Sequence, residues 1–278
     1  KQIAPNLDVQ DLADEVRERI HEELDYELEA QNTRAVGRAH RGHPFIVIPE
    51  VVTDLCRPRV IVMDFIDGVG HDEVARRDQA TRDRVAEIIF RFYFGAMYRH
   101  NAFSGDPHPG NSLLLADGRM AFLDFGLFKR ISAAAAEREL AIQRLGVEGR
   151  GEDMIERMRV AGMLPDDTRA TPESILDQFQ RYTWWFTRDE VLELDPGMAT
   201  RIVLDFSDPT HSAFHEVRRE TLPAEHLFGR RLEMMTLAVM SQLRPRANWY
   251  RIAREWLYDD EPRTELGVLE AAYYAGRR

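Results

Sequence analysis

Three side chains in the stretch GDPHPGNSLLLADGRMAFLDFG, Gly105–Gly126, have the types and spacing to do chemistry: Asp106, Asn111 and Asp124. Asp106 and Asn111 are five residues apart with Pro107, Pro109 and Gly110 between them, so the segment cannot be helical. It must hold both side chains on a stiffened turn. Asp117-Gly118 lies between two apolar runs, a strong hairpin signal, and a hairpin would carry Asp124 back towards Asn111. One carboxylate and one amide oxygen could then share a hard cation such as Mg²⁺, which takes its other oxygens from water and substrate phosphates. Asp106 would be left as a spare carboxylate, able to act as a base. A base aspartate, an asparagine five residues on, and D-F-G after a hairpin form the ordered signature of phosphoryl transfer in kinases. His108, two residues after Asp106, is a candidate for orienting this loop by hydrogen bonding or for positioning a substrate.

Flanking elements must hold that stretch in place. From Asp11 to about His40, Leu12, Val16, Ile20, Leu24 and Leu28 recur every fourth residue, which predicts an amphipathic helix. HPFIVIPEVV and PRVIVMDFI read as two strands, antiparallel neighbours joined by TDLCR. TRDRVAEIIFRFYFGAMYRH predicts a deeply buried helix capped by Thr81, with Val85, Ile88, Ile89, Phe92 and Met97 as its apolar face. Beyond Ser132 helical spacing dominates, punctuated by Pro165, Pro172, Pro223 and Pro245. The aromatic group Tyr182, Trp184, Trp185 and Phe186 reads as helix packing. The last segment, DDEPRTELGVLEAAYYAGRR, has weak patterning and reads as a loosely held tail.

Composition narrows the function classes. The chain has 278 residues, 44% of them hydrophobic and 31% charged, so a sizeable core is expected. A formal net charge of −11 argues against nucleic acid as a partner. No apolar run approaches the ~20 residues of a transmembrane span. The single cysteine, Cys56, fits a reducing compartment and reads as a small buried thiol. A cytoplasmic location is expected, with peripheral contact at the inner membrane for a longer protein.

With those residues in view, the sequence resembles the UbiB-like (AarF-type) family of atypical kinases. ELDYELEAQN, Glu23–Asn32, is similar to that family's acidic helix motif, GDPHPGN to its catalytic loop and LDFG to its metal loop, in the same order. The resemblance implies an α+β, protein-kinase-like fold made mostly of the helical C-terminal lobe, with a partial small lobe of helix C and hinge strands. It implies ATP and Mg²⁺ as cofactors, and a link to ubiquinone or isoprenoid-lipid metabolism through a quinone lipid or a lipid-biosynthesis protein. Glu29 resembles the helix-C glutamate that pairs with the ATP-binding lysine, and Glu23 with Asp25 forms the family's E-x-D motif. On one straight helix Asp25 and Glu29 would lie about 40° apart, but Glu23 and Glu29 about 120° apart, so only Asp25 and Glu29 could face the site together. Asp64, Phe65 and Ile66 occupy the place of the interlobe hinge, whose backbone would meet the adenine ring.

The sequence departs from a complete kinase in one respect. Neither lysine, Lys1 or Lys129, has the strand context of the ATP-binding lysine, and no nucleotide-covering loop precedes Asp11. The expectation is a chain lacking much of its first lobe, divided into a partial N-lobe at 1–67, a helical C-lobe at 68–258 and a tail at 259–278. The alternatives are a small-molecule phosphotransferase of the aminoglycoside or choline kinase type, which has a similar G-D-x-H-x-G-N loop, and a non-catalytic nucleotide-binding scaffold.

Overall fold

The computed structural model describes residues 25–104, 106–164, 169–207 and 224–277. Glu23 and the first part of the predicted N-terminal helix lie outside the described residues. The described part of that helix is α1, Tyr26–Ala39, which buries Ala30, Thr33 and Val36. It leads through a turn closed by Gly42, whose φ is +73°, into β1, Ile46–Val47.

Only part of the expected strand pair forms. Val51 bridges Met63 in antiparallel fashion, with Val52 N–H on Val62 O at 2.8 Å and Asp64 N–H on Glu50 O at 2.9 Å. No regular ladder extends from that bridge among the described residues, since a two-stranded ribbon gains too little packing to stay regular. β1 pairs instead with β4, Met120–Phe122, in parallel, and β4 pairs with β3, Ser112–Leu114, in antiparallel, giving the sheet order β1-β4-β3. The turn between β3 and β4 is a three-residue loop: Leu115 and Arg119 pair across it, and Gly118 sits at φ +83° in the left-handed region. A second small sheet joins β2, Ala102–Ser104, to β5, Phe128–Arg130.

The buried helix behind these strands runs from α2, Gln79–Phe90, through a π-helical turn at Arg91–Gly95 into α3, Ala96–His100. Its expected apolar face is buried: Val85, Ile88, Ile89, Phe92 and Met97 are all under 5% exposed. Burying such a side chain contributes about 1.5–3 kcal/mol, enough for the face to fix where the helix lies. The cap differs from expectation. Asp78, not Thr81, accepts from the Thr81 N–H at 2.9 Å, because a carboxylate three residues ahead reaches the orphan amide. The π-turn lets Gly95 lie against Trp256, where an added Cβ would come within 3.2 Å of the indole.

The helices beyond β5 are α4, Ala133–Val147; α5, Gly151–Val160; α6, Pro172–Thr187; α7, Gly197–Ser207; α8, Ala224–Gln242; α9, Trp249–Leu257; and α10, Glu265–Ala275. Ser132 caps α4 and Thr171 caps α6, with Pro172 at the first helical position. Trp185 and Phe186 are in the main core and Tyr182 and Trp184 pack against it, which accounts for that aromatic group as packing. Cys56 is buried, its thiol against Val52 O at 3.4 Å.

The loosely held tail is a correction. α10 is docked: Leu266 and Glu270 are about 2% exposed, and Tyr273 donates its hydroxyl to Arg41 O at 3.0 Å. Its contacts are mixed, with Leu266 in the main core and Glu270 in an ion network, so hydrophobic periodicity gives only a weak signal of it. No described helix is long and apolar enough to cross a membrane.

Candidate functional site

The hairpin ladder sets the geometry. Ser112 pairs with Phe122, and the next bond along is Leu123 N–H to Asn111 O at 2.9 Å, so Asn111 and Asp124 sit at the same end of the hairpin. Asn111 ends a 3₁₀ turn, Pro109–Asn111, and its side-chain amide donates to Asp106 O at 3.3 Å and Asp106 Oδ2 at 3.5 Å. Asp124 Oδ1 accepts from Gly126 N–H at 3.0 Å, and Ser104 Oγ donates to Asp124 O at 3.4 Å. The structure therefore brings Asp106, Asn111 and Asp124 together.

Helix α1 adds a third carboxylate. Burial pushes the Glu29 carboxyl above its ordinary value, Asp124 across from it pushes it further, and the Phe125 N–H partly offsets both. Asn32, one turn on, donates its side-chain amide to Phe125 O at 3.1 Å and so ties α1 to the metal loop. Tyr93, on the π-turn, is buried beneath the cluster. Burial first, then Asp106 and Asp124, push its phenol up, so it stays protonated. Neither Asn32 nor Tyr93 was among the expected site residues. Asn32 was findable, because it lies three residues after Glu29 and hence on the same helical face. Tyr93 was hidden within a continuous aromatic run.

Other expected residues lie elsewhere. Asp25 does not face the cluster as part of the helix: it is the N-cap, with φ −99° and ψ 88°, and its Oδ1 accepts from Glu27 and Leu28 N–H at 3.0 and 3.2 Å. The straight-helix premise fails at that residue, because an aspartate preceding a helix gains more by satisfying orphan amides. His108 is exposed, and its Nδ1 accepts from Gly110 N–H at 3.0 Å, the loop-orienting arrangement. In the hinge segment Phe65 is 91% exposed, and the Asp64 N–H is already bonded to Glu50 O. The N–H groups of Phe65 and Ile66 make no backbone hydrogen bond among the described residues.

Tested against a divalent cation, the donor set fits. With the Asn111 amide nitrogen on Asp106 and Asp124 Oδ1 on Gly126, Asn111 Oδ1 and Asp124 Oδ2 remain as hard oxygen donors. The mutual repulsion of Glu29 and Asp124 is what a cation would relieve. No three His, Cys, Asp or Glu side chains among the described residues gather into a metal cage, so a cation here would draw on oxygens from a substrate, as Mg²⁺ does at phosphates.

Comparison with known proteins places these features in context. Residues 1–144 match the model of the ABC1 atypical kinase-like domain. The chain is similar to the ACTIVITY OF BC1 COMPLEX KINASE 1 protein of Arabidopsis thaliana, a chloroplastic protein, at 32% identity over 58% of this chain and 24% of the relative. It is similar to an uncharacterized chloroplastic aarF domain-containing protein kinase of the same plant at 30% identity, over 44% of this chain and 17% of the relative. The chain thus spans about a quarter or less of the length of these two relatives. Among solved structures, Rv3197 of Mycobacterium tuberculosis, determined in complex with erythromycin, superposes with a TM-score of 0.74 at 28% identity, covering 92% of this chain and 63% of that one. The mixed fold of helices and small sheets is thus kinase-like.

Proposed function

The chain belongs to the ABC1 atypical kinase-like family, of the UbiB/AarF type, and from that premise we propose that it carries the base and metal side of an ATP- and Mg²⁺-dependent phosphoryl-transfer or ATP-hydrolysing site. The observation that carries this reading is the register of the β3–β4 hairpin, which sets Asp124 at the same end as Asn111 while the Asn111 amide reaches Asp106. Asp106 accepts the proton of an acceptor hydroxyl or positions a water. Asn111 and Asp124 would hold Mg²⁺, which when bound neutralises charge on phosphate oxygens. Glu29 would receive a lysine ammonium, which would relieve its raised carboxyl. His108 keeps the loop in shape rather than moving a proton. The backbone N–H groups of Phe65 and Ile66, which make no backbone hydrogen bond among the described residues, would meet an adenine edge.

Lobe boundaries near residue 67, a cytoplasmic setting with peripheral membrane contact, and a substrate linked to ubiquinone or another isoprenoid lipid complete the proposal. The last rests on the family alone. Calorimetric titration with Mg-ATP and an ATP turnover assay test it. Asp124→Asn should remove the Mg²⁺-dependent part of binding, and Asp106→Asn should keep binding while turnover falls about 10²–10⁴-fold. Binding with no turnover dependent on either residue would replace this reading with a nucleotide-binding scaffold. Phosphorylation of a sugar or amino alcohol would replace it with a small-molecule phosphotransferase.

A further inference from the structure

A cavity of about 220 Å³ lies next to the loop that carries Asp124, with Phe125 in its lining. Val36 and Ala39 of α1 form one wall, Ala96 and His100 of α3 another, and Phe125 and Phe128 the floor, with Arg130 also lining the cavity. Small alanines on both helices keep it open. The polar groups in its walls are electrically quiet: burial pushes both His100 and the neighbouring His40 down, so both are neutral at neutral pH. His100 Nε2 is already shared with the Tyr274 hydroxyl at 3.0 Å. The one charge is Arg130, which is exposed, lies over the Phe128 ring at 5.4 Å and has no carboxylate partner among the described residues.

An apolar chamber with one unpaired cation suits an amphiphile with a single negative charge. We propose that this cavity is a binding site for a small monocarboxylate with an apolar body, its carboxylate at Arg130 and its body between α1, α3 and Phe125. An apolar cavity of about 150 Å³ accommodates a benzene ring, so this one takes a body of roughly eight carbons. The occupant would touch the helix that carries Glu29 and the phenylalanine that follows Asp124, so it could tune the carboxylate cluster. That consequence rests on the phosphoryl-transfer reading, whereas the binding itself does not.

The test is calorimetric titration of the protein with octanoate and, separately, with octan-1-ol, in the absence of nucleotide. Octanoate should bind at one site. Ala96→Phe, which fills the chamber, should weaken it at least about tenfold, and Ala35→Leu, from the α1 side, should do the same if the first variant does not fold. Arg130→Gln should weaken octanoate about two- to fivefold and leave octan-1-ol unchanged, as expected for an exposed charge pair. Absence of octanoate binding, or binding insensitive to both filling variants, overturns the site. Loss of octan-1-ol binding in Arg130→Gln overturns the placement of the carboxylate. Because no readout involves ATP, failure here leaves the phosphoryl-transfer reading standing, and failure of that reading leaves this site standing.

Discussion

Two groups of three carboxylates meet the chain's interior, and they are treated in opposite ways. Glu87, Glu255 and Glu270 surround the fully buried Arg91, whose guanidinium donates to them at 2.8, 2.8 and 3.0 Å and to Thr264 Oγ1 at 3.0 Å. Burial works to raise Glu270, but His43, Arg91 and Arg99 more than offset it and hold the carboxyl below its usual range. Burial likewise opposes the charge on Arg91, and Glu255, Glu87 and Glu270 outweigh it, so the guanidinium is held more firmly protonated. Glu29, beside Asp124, receives no such compensation: the forces on it are burial, its neighbour Asp124 and one backbone N–H. A buried ion network with every partner present does structural work, here joining the π-turn to α9 and α10. Carboxylates left repelling one another cost stability that a ligand's positive charge can recover, which is the pattern of a binding site.

The sharpest way to break this contrast is to remove the cation from the compensated group. Arg91→Met leaves Glu87 and Glu255 without their guanidinium and Glu270 with only Arg99 and His43, and should cost about 3–5 kcal/mol, read as a lower urea midpoint or as failure to fold. Arg91→Lys should recover part of that loss. A variant as stable as the parent would show that the network is not what holds α10 in place.

Acidification attacks the same end of the molecule more gently. Burial, acting against only partial help from Val36 O, holds His40 down at about 3, and His43 and His100 are also lowered, burial being the largest cause in each. A histidine whose folded value is depressed gives stability that is complete above the unfolded value of about 6.5 and is lost as pH falls below it. Between pH 6.5 and 5, a histidine as depressed as His40 should cost about 1.5 kcal/mol. The groups facing these rings are Glu270, Arg99, Arg277, Tyr273 and Tyr274. Thermal unfolding followed from pH 7 to 5 should fall steadily, and His40→Leu should flatten the slope.

The smallest effect is expected at the uncompensated group and has the opposite sign. Glu29→Gln removes a repulsion instead of a partner. It should leave the melting temperature unchanged or raise it, by about 0.5–1 kcal/mol of stability at pH 7, while abolishing any lysine-assisted nucleotide contact. A carboxyl raised in the folded state loses stability as pH climbs through that raised value, so removing it helps at neutral pH. Asp124→Asn should follow the same pattern in differential scanning calorimetry. Clear destabilisation by either variant would mean that the two groups are not different in kind.

Legibility followed the range of the interaction. The hairpin, the stiffened turn around Pro109 and the helical spacing beyond Ser132 depend on residues within a few positions of one another, and turn chemistry and helix periodicity exposed them. Two caps were misread, Asp25 being expected within the helix and Thr81 being expected to do what Asp78 does, because a cap differs from a helical residue only in its own backbone angles. The docking of α10 and the joining of Asn32 to Phe125 link residues 93 or more positions apart, with no local pattern to announce them.

By itself the sequence determined that Asp106, Asn111 and Asp124 sit on one turn-and-hairpin unit and that the chain resembles one family of atypical kinases, because prolines, glycines and a two-residue strand period act locally. Only the tertiary structure decided which carboxylates are partnered. Charge compensation depends on which helices end up packed together, and Arg91 reaches Glu255 and Glu270 across 164 and 179 residues of sequence. No local pattern says which glutamate is paired with a cation and which faces another carboxylate: distance in space, not in sequence, makes that choice.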